Sequence, residues 1–156
     1  MVDLNIIEKK EVFGIASKDD AVEIASLAST WVEEMGHNVD PLKILKEFEH
    51  YLNIGRVFTA KSEGKIVGMF IATIKTPIWN GHQVGNEECV FIDPSYRGKG
   101  LIVKFIKLFE EWSKYMGCTE VTFNPSIYGA PKLESFCKFL GRLGYSVTAH
   151  ELTREI

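Results

Sequence analysis

Ile92-Asp93-Pro94-Ser95-Tyr96-Arg97-Gly98-Lys99-Gly100-Leu101 joins an apolar run, Val90-Phe91-Ile92, to a long amphipathic run that begins at Leu101. In physical terms a buried strand ends at a proline, and a basic, glycine-spaced turn leads into the first turn of a helix. The first amides of a helix have no internal partner, and the macrodipole puts positive potential there. Glycine lets the backbone approach a ligand closely, so such a turn suits a phosphate or pyrophosphate. The competing reading is an ordinary basic turn. A Walker loop is excluded, because Gly-x-x-x-x-Gly-Lys-Ser/Thr is absent.

Downstream, Ile102, Phe105, Ile106, Phe109, Trp112 and Met116 fall on one helix face, with Lys104, Lys107, Glu111 and Lys114 on the other. Gly117 ends this helix, and Thr119 to Phe123 reads as a strand. Strand, helix of roughly four turns and strand make a crossover, which implies a parallel pair. A loop from Asn124 leads to a short helix, Pro131 to Leu140, with Leu133, Phe136, Cys137 and Leu140 inward. Tyr145 to Arg154 is expected to close the chain as one or two strands.

Upstream, Glu11 to Ala16 can form a first strand. Ser17 and Asp20 stand in capping-box spacing ahead of Ala21, Ile24, Ala25, Ala28, Trp31, Val32 and Met35, which recur at helical intervals. A second helix starts at Asp40-Pro41, with Asp as cap and Pro at the first helical position. Its inward stripe is Leu45, Phe48 and Leu52, and Gly55 stops it. The period then changes. Val57 to Lys61 and Ile66 to Lys75 read as strands joined by a polar turn, and a fourth strand runs from about Asn86 to Ile92.

The chain has 156 residues, 46% hydrophobic and 25% charged, with a net charge of -3. These values suit one soluble domain spanning residues 1–156 and give no general pull toward nucleic acid or anionic membrane. Arg97, Lys99, Lys104 and Lys107 are too interleaved with Glu110 and Glu111 for a nucleic-acid patch. No apolar run reaches membrane-spanning length, and the start has no basic-then-apolar leader, so a cytoplasmic protein is expected. Cys89, Cys118 and Cys137 are odd in number, widely spaced and set among apolar neighbours, as buried thiols are. His37, His50, His82 and His150 lack metal-ligand spacing, and no metal is expected.

Strand, two helices, three antiparallel strands, Pro-x-x-Arg-Gly-x-Gly, helix, strand, helix and strand together resemble the GNAT superfamily of acyl-CoA N-acyltransferases. The family loop Arg/Gln-x-x-Gly-x-Gly/Ala is met as Arg97-Gly98-Lys99-Gly100-Leu101-Ile102, after Ile92-Asp93-Pro94. A second signature, Phe-Tyr-x-x-Leu-Gly-Phe, is approached by Phe139-Leu140-Gly141-Arg142-Leu143-Gly144-Tyr145, and Gly64-Lys65-Ile66-Val67-Gly68 matches the usual hairpin. Two positions depart from the pattern. Ile102 replaces the last Gly/Ala of the loop, and Leu140 stands where the family often has a tyrosine suited to reprotonating the CoA thiolate.

The resemblance implies a mixed α/β fold: a mostly antiparallel, splayed sheet flanked by helices. It implies an N-acetyltransferase with acetyl-CoA as cosubstrate and a primary amine of a small molecule or protein as acceptor, by direct transfer. Amides from Arg97 through Gly98, Lys99, Gly100 and Leu101 to Ile102 would grip the pyrophosphate, with Arg97 adding charge. Pantetheine would pair with backbone at Val90, Phe91 and Ile92, helped by Asn124. Dimers are common in folds of this kind, so a homodimer stays an open expectation.

Transfer to an amine requires it neutral, whereas a free alkylamine is mostly protonated at pH 7. A carboxylate can take that proton. Glu87 and Glu88 sit where the family often places one. Strict alternation puts Glu88 on the face of Val90 and Ile92 and Glu87 on the other, unless a bulge exchanges them. Glu88 is the favoured base. Tyr128, Tyr145 or water would fill the role left by Leu140, and Trp31, Tyr51, Trp79 and Tyr128 are candidate walls of an acceptor pocket, although Trp31, on the apolar stripe of its helix, is read first as core. The rival reading is a CoA-binding module of the same fold with reduced catalysis.

Overall fold

A computed structural model describes residues 11–79, 81–125 and 130–148. The chain divides into two compact units, Met1–Phe123 and Asn124–Ile156, which are described separately. In the first unit β1 (Val12–Ile15), β2 (Gly55–Ser62), β3 (Lys65–Lys75), β4 (Val84–Ile92) and β5 (Glu120–Thr122) form one sheet in that order. The first three pairings are antiparallel and β4–β5 is parallel, as the crossover requires. Helices α1 (Ala21–Glu34) and α2 (Pro41–Ile54) lie between β1 and β2, and α3 (Leu101–Tyr115) between β4 and β5.

Local signals place the helix starts. Ser17 and Asp20 form a capping box on a single 3-10 turn, Lys18–Asp20, that leads directly into α1, and Asp20 also takes Lys61 Nζ on its Oδ1 at 2.7 Å. Asp40 caps α2 by accepting from the Lys43 amide at 3.1 Å, one residue before Pro41. Gly55 does end α2, but not in the left-handed conformation of a usual glycine stop: its φ is -141°. Its role is close approach, since a Cβ there would lie 2.2 Å from the Ala72 carbonyl oxygen on β3. The β2–β3 turn carries positive φ at both Glu63 and Gly64, the hand that matches strand twist.

The sheet is covered on both faces. Met69, Ile71, Cys89 and Phe91 pack with Ile24, Leu27 and Ala28 of α1 and Phe48 of α2. The alternate residue Phe70 points the other way, into the rings of Phe105 and Phe109 of α3 and Phe123 after β5. Phe70, Phe105 and Phe109 are fully buried, and truncating any of them costs about 3–5 kcal/mol. Met116, expected on the inward stripe of α3, lies just past the helix end and is 41% exposed.

The second unit contains α4 (Ala130–Arg142). It ends in a Schellman arrangement. Gly144 has φ 96°, its amide donates to Gly141 O, and the Tyr145 amide donates to Leu140 O, each at 3.1 Å. The glycine of the second sequence signature is thus the helix stop. The strand expected from Tyr145 begins as coil through Thr148, and the rest of that stretch lies outside the described residues.

Candidate active site

Two neighbouring carboxylates on β4 meet different surroundings because the strand carries a bulge. Ile71 pairs with Cys89 and Ala72 with Glu87, so Glu88 is the extra residue. Alternation across that step is broken. Glu87, opposite Ala72, is 1% exposed and shares the α3 side of the sheet with Gly85, whose missing Cβ would strike Ser113 of α3. Glu88 instead opens with Cys89 onto the α1–α2 side. The strict alternation expected from the sequence, with Glu88 on the face of Val90 and Ile92, is therefore corrected: the bulge exchanges the faces.

Glu88 is held firmly by neighbours the sequence reading missed. Its Oε1 accepts from Thr73 Oγ1 at 2.6 Å and Asn86 Nδ2 at 2.8 Å, and Lys75 Nζ stands 3.5 Å away. Thr73 and Asn86 are direct cross-strand partners, so the β3–β4 register builds this clamp. No local signal marks Thr73, because its role exists only once the strands pair. The carboxylate lies two residues beyond Asn86, the last β4 residue paired with β5, where the two strands part.

Glu88 lines a cavity of about 370 Å³ between α1, α2 and the sheet. Trp31, Ile44, Phe48, Tyr51, Met69 and Ile71 supply much of its apolar wall. Trp31 and Tyr51 are partly buried, pack against the hydrophobic core and line this cavity as well. Trp79 does not line this cavity and is 83% exposed, while Tyr128 lies outside the described residues. Burial, and then the charges of Glu88 and Glu47, push the Tyr51 hydroxyl up from its ordinary value. Cys89 is a poor nucleophile: burial foremost, then Glu87 and Glu88, push its thiol far up.

At the other end of β4, Gly98 and Gly100 have φ of 78° and 79°, and a Cβ on either would meet nothing within 4 Å. Gly100 is the N-cap of α3 and supplies no side-chain cap, so the first amides of that helix face an open cradle. Those residues fit a pyrophosphate-bearing cosubstrate. Lys99 lies over the Tyr96 ring, with Nζ 4.6 Å from its centroid. Leu101 is buried at 1% exposure and Ile102 half-buried in the first turn of α3. Arg97 was expected to add charge to this loop, but its Nε donates to Ile92 O and its fork to Glu34 of α1.

Val90 and Phe91 are buried and Ile92 half-buried on the β4 stretch that leads to the loop. In the second unit Asn124 is exposed, and Leu140 on α4 is buried.

Residues 21–135 match the acetyltransferase (GNAT) family. A five-stranded, mostly antiparallel open sheet with a glycine-spaced loop ahead of α3 is the acetyltransferase fold, and this chain belongs to the GNAT family. It is 34% identical over 99 residues to a glucosamine 6-phosphate N-acetyltransferase of Trypanosoma brucei brucei, a match covering 63% of this chain. That match spans 61% of the curated relative's length. Among solved structures, a Trypanosoma brucei acetyltransferase superposes with TM-score 0.75 at 20% identity, covering 94% of this chain and all of that one. An aminoglycoside N-acetyltransferase in complex with CoA gives 0.76 at 20% identity, covering 97% and 99%. A ribosomal-protein-alanine N-acetyltransferase from Brucella melitensis gives 0.74 at 16% identity, covering 94% and 99%. These likenesses establish the fold. No helix among the described residues is long and apolar enough to cross a membrane.

Proposed function

We propose that this protein is an N-acetyltransferase that moves an acetyl group from acetyl-CoA directly to a primary amine, with Glu88 as general base. The observation that carries this reading is the bulge, which turns a clamped carboxylate into a cavity just where β4 and β5 separate. Acetyl-CoA, when bound, supplies the acyl group activated as a thioester. The amides from Gly98 to Ile102 would hold its pyrophosphate, with Val90, Phe91 and Ile92 leading toward the cavity.

Glu88 takes a proton from the incoming ammonium, directly or through water, so that the nitrogen lone pair is free to attack. Thr73 and Asn86 hold the carboxylate in place while it does so. Direct transfer is supported by the burial of Cys89 beside Glu87 and Glu88, which pushes its thiol up and disfavours a covalent acyl-enzyme there. The free thiols of Cys89, Cys118 and Cys137 support a reducing, cytosolic setting.

Leu140 favours a second reading, a CoA-binding module, because a buried leucine cannot return a proton to a thiolate. Amine-dependent release of CoA thiol separates the two. Turnover on any member of an amine panel, lost in Glu88→Gln, supports the enzyme. Thermal stabilisation by acetyl-CoA with no turnover on the whole panel supports the module.

A further inference from the structure

The charges around the acceptor cavity indicate what kind of amine belongs there. Among the described residues its lining includes three carboxylates, Asp40, Glu47 and Glu88, and one ammonium, Lys43, with Lys75 standing 3.5 Å from Glu88. Two of the carboxylates are engaged. Asp40 Oδ1 caps α2, and Glu88 Oε1 is clamped and assigned above to the amine being acetylated. Glu47 is different. Among the described residues it has no hydrogen-bond or ion-pair partner, and Lys43, one helical turn earlier on α2, does not pair with it.

Resting on the acetyl-transfer reading, we propose that the acceptor is a dication, a primary amine whose body carries a second positive charge, and that Glu47 binds the distal charge. Tyr51 lies one turn beyond Glu47 on α2 and lines the same cavity as the two carboxylates. Burial foremost, then the charges of Glu88 and Glu47, push the Tyr51 hydroxyl up, in keeping with the two carboxylates lining one cavity. Tyr51 and Trp31 also line the cavity, and aromatic rings attract a cationic chain. Aliphatic wall from Ile44, Met69 and Ile71 suits the methylene body between two ammonium groups.

A phosphosugar fits this lining poorly. Its phosphate would bring close to two negative charges among three carboxylates, met among the described residues by Lys43 on the wall and by Lys75, which already stands 3.5 Å from Glu88. The acceptor named for the curated relative is thus disfavoured by the charges of this cavity.

The test compares 1,5-diaminopentane, pentylamine and glucosamine 6-phosphate as acceptors, by kcat/KM for CoA release in the wild type and in Glu47→Gln. Glu47 is exposed and Phe48 anchors α2, so the variant is expected to fold. The diamine should exceed the monoamine by about tenfold to a hundredfold, the value of one charge-assisted hydrogen bond. In Glu47→Gln that ratio should fall toward unity. Preference for glucosamine 6-phosphate over the diamine, or an unchanged ratio in the variant, overturns the proposal. Calorimetric binding of the two amines to the CoA complex repeats the comparison without turnover. If no amine releases CoA, the transfer reading fails, and the binding ratio still decides the class of ligand.

Discussion

The Arg97 guanidinium grips the Glu34 carboxylate with both arms, Nη1 to Oε1 at 2.8 Å and Nη2 to Oε2 at 2.6 Å. Its Nε donates to Ile92 O at 2.9 Å, and its Cζ lies 5.3 Å from the Phe91 ring centroid. One side chain therefore joins the last turn of α1, the end of β4 and the start of the glycine loop. Fork geometry is specific to arginine, and a lysine can satisfy only one of these contacts at a time.

Loss of this brace should be felt in stability and in cosubstrate binding. Both partners are partly exposed, so Glu34→Ala is expected to cost only about 1 kcal/mol in urea denaturation. Arg97→Lys should behave alike, with a weakened dissociation constant for CoA in both variants. Unchanged CoA affinity in Glu34→Ala would show that the brace leaves the loop unaffected.

Glu87 and Glu88 should give crossed phenotypes. Glu88→Gln is expected to lower kcat by about 10²- to 10⁴-fold, the usual range for a lost general base, with little change in thermal midpoint. Glu87→Gln disturbs a side chain only 1% exposed and should lose about 1–3 kcal/mol of stability. Its activity per folded molecule should stay closer to the wild type. Paired melting curves and kcat measurements decide this, and the opposite pattern would move the base to Glu87.

Alanine at Gly98 or Gly100 meets no neighbouring atom but must adopt a positive φ. The expected stability cost is about 1–2 kcal/mol each. CoA binding should weaken further than that strain explains, since the new methyl group occupies open space in the cradle. Isothermal titration with CoA against a melting curve separates the two effects. Equal affinity in both variants would remove the loop from the binding site.

The Asp20–Lys61 pair sets an acid and an alkaline limit on part of the stability. The hydrogen bond from Lys61 foremost, then that from the Ser17 amide, holds the Asp20 carboxyl below its ordinary 3.8. Its contribution is present above that value and is lost as pH falls through the lower folded one. The bond to Asp20 likewise raises Lys61 above 10.5, so that share is present below 10.5 and lost as pH rises further. The gap between wild type and Asp20→Asn in urea titrations should be widest between these limits. It should close in acid, and a gap that persists at pH 2 would contradict the assignment.

Signals carried within a few neighbouring residues were legible in the sequence. Asp40-Pro41, Ser17 with Asp20 and the glycine loop all act locally, and each marks its element correctly. Features that depend on strand pairing were not. The bulge at Glu88 is a relation between β4 and β3, invisible along either strand alone. Thr73 and Asn86 become a clamp only in register, and Glu34 reaches Arg97 across 63 positions of chain. Gly55 gave a true helix end for a different reason, since closeness to Ala72 leaves no trace in local composition.

The single unpaired residue in β4 has an evolutionary corollary. Point substitutions change what an acid does at one position, whereas losing one residue between Asn86 and Cys89 would restore simple pleating, keep the pairs upstream in the strand, and leave the one remaining acid opposite Ala72 on the α3 side. Insertions and deletions in that short interval should therefore be far scarcer among active descendants than changes of side chain, and grafting this strand elsewhere would need its residue count copied before its chemistry.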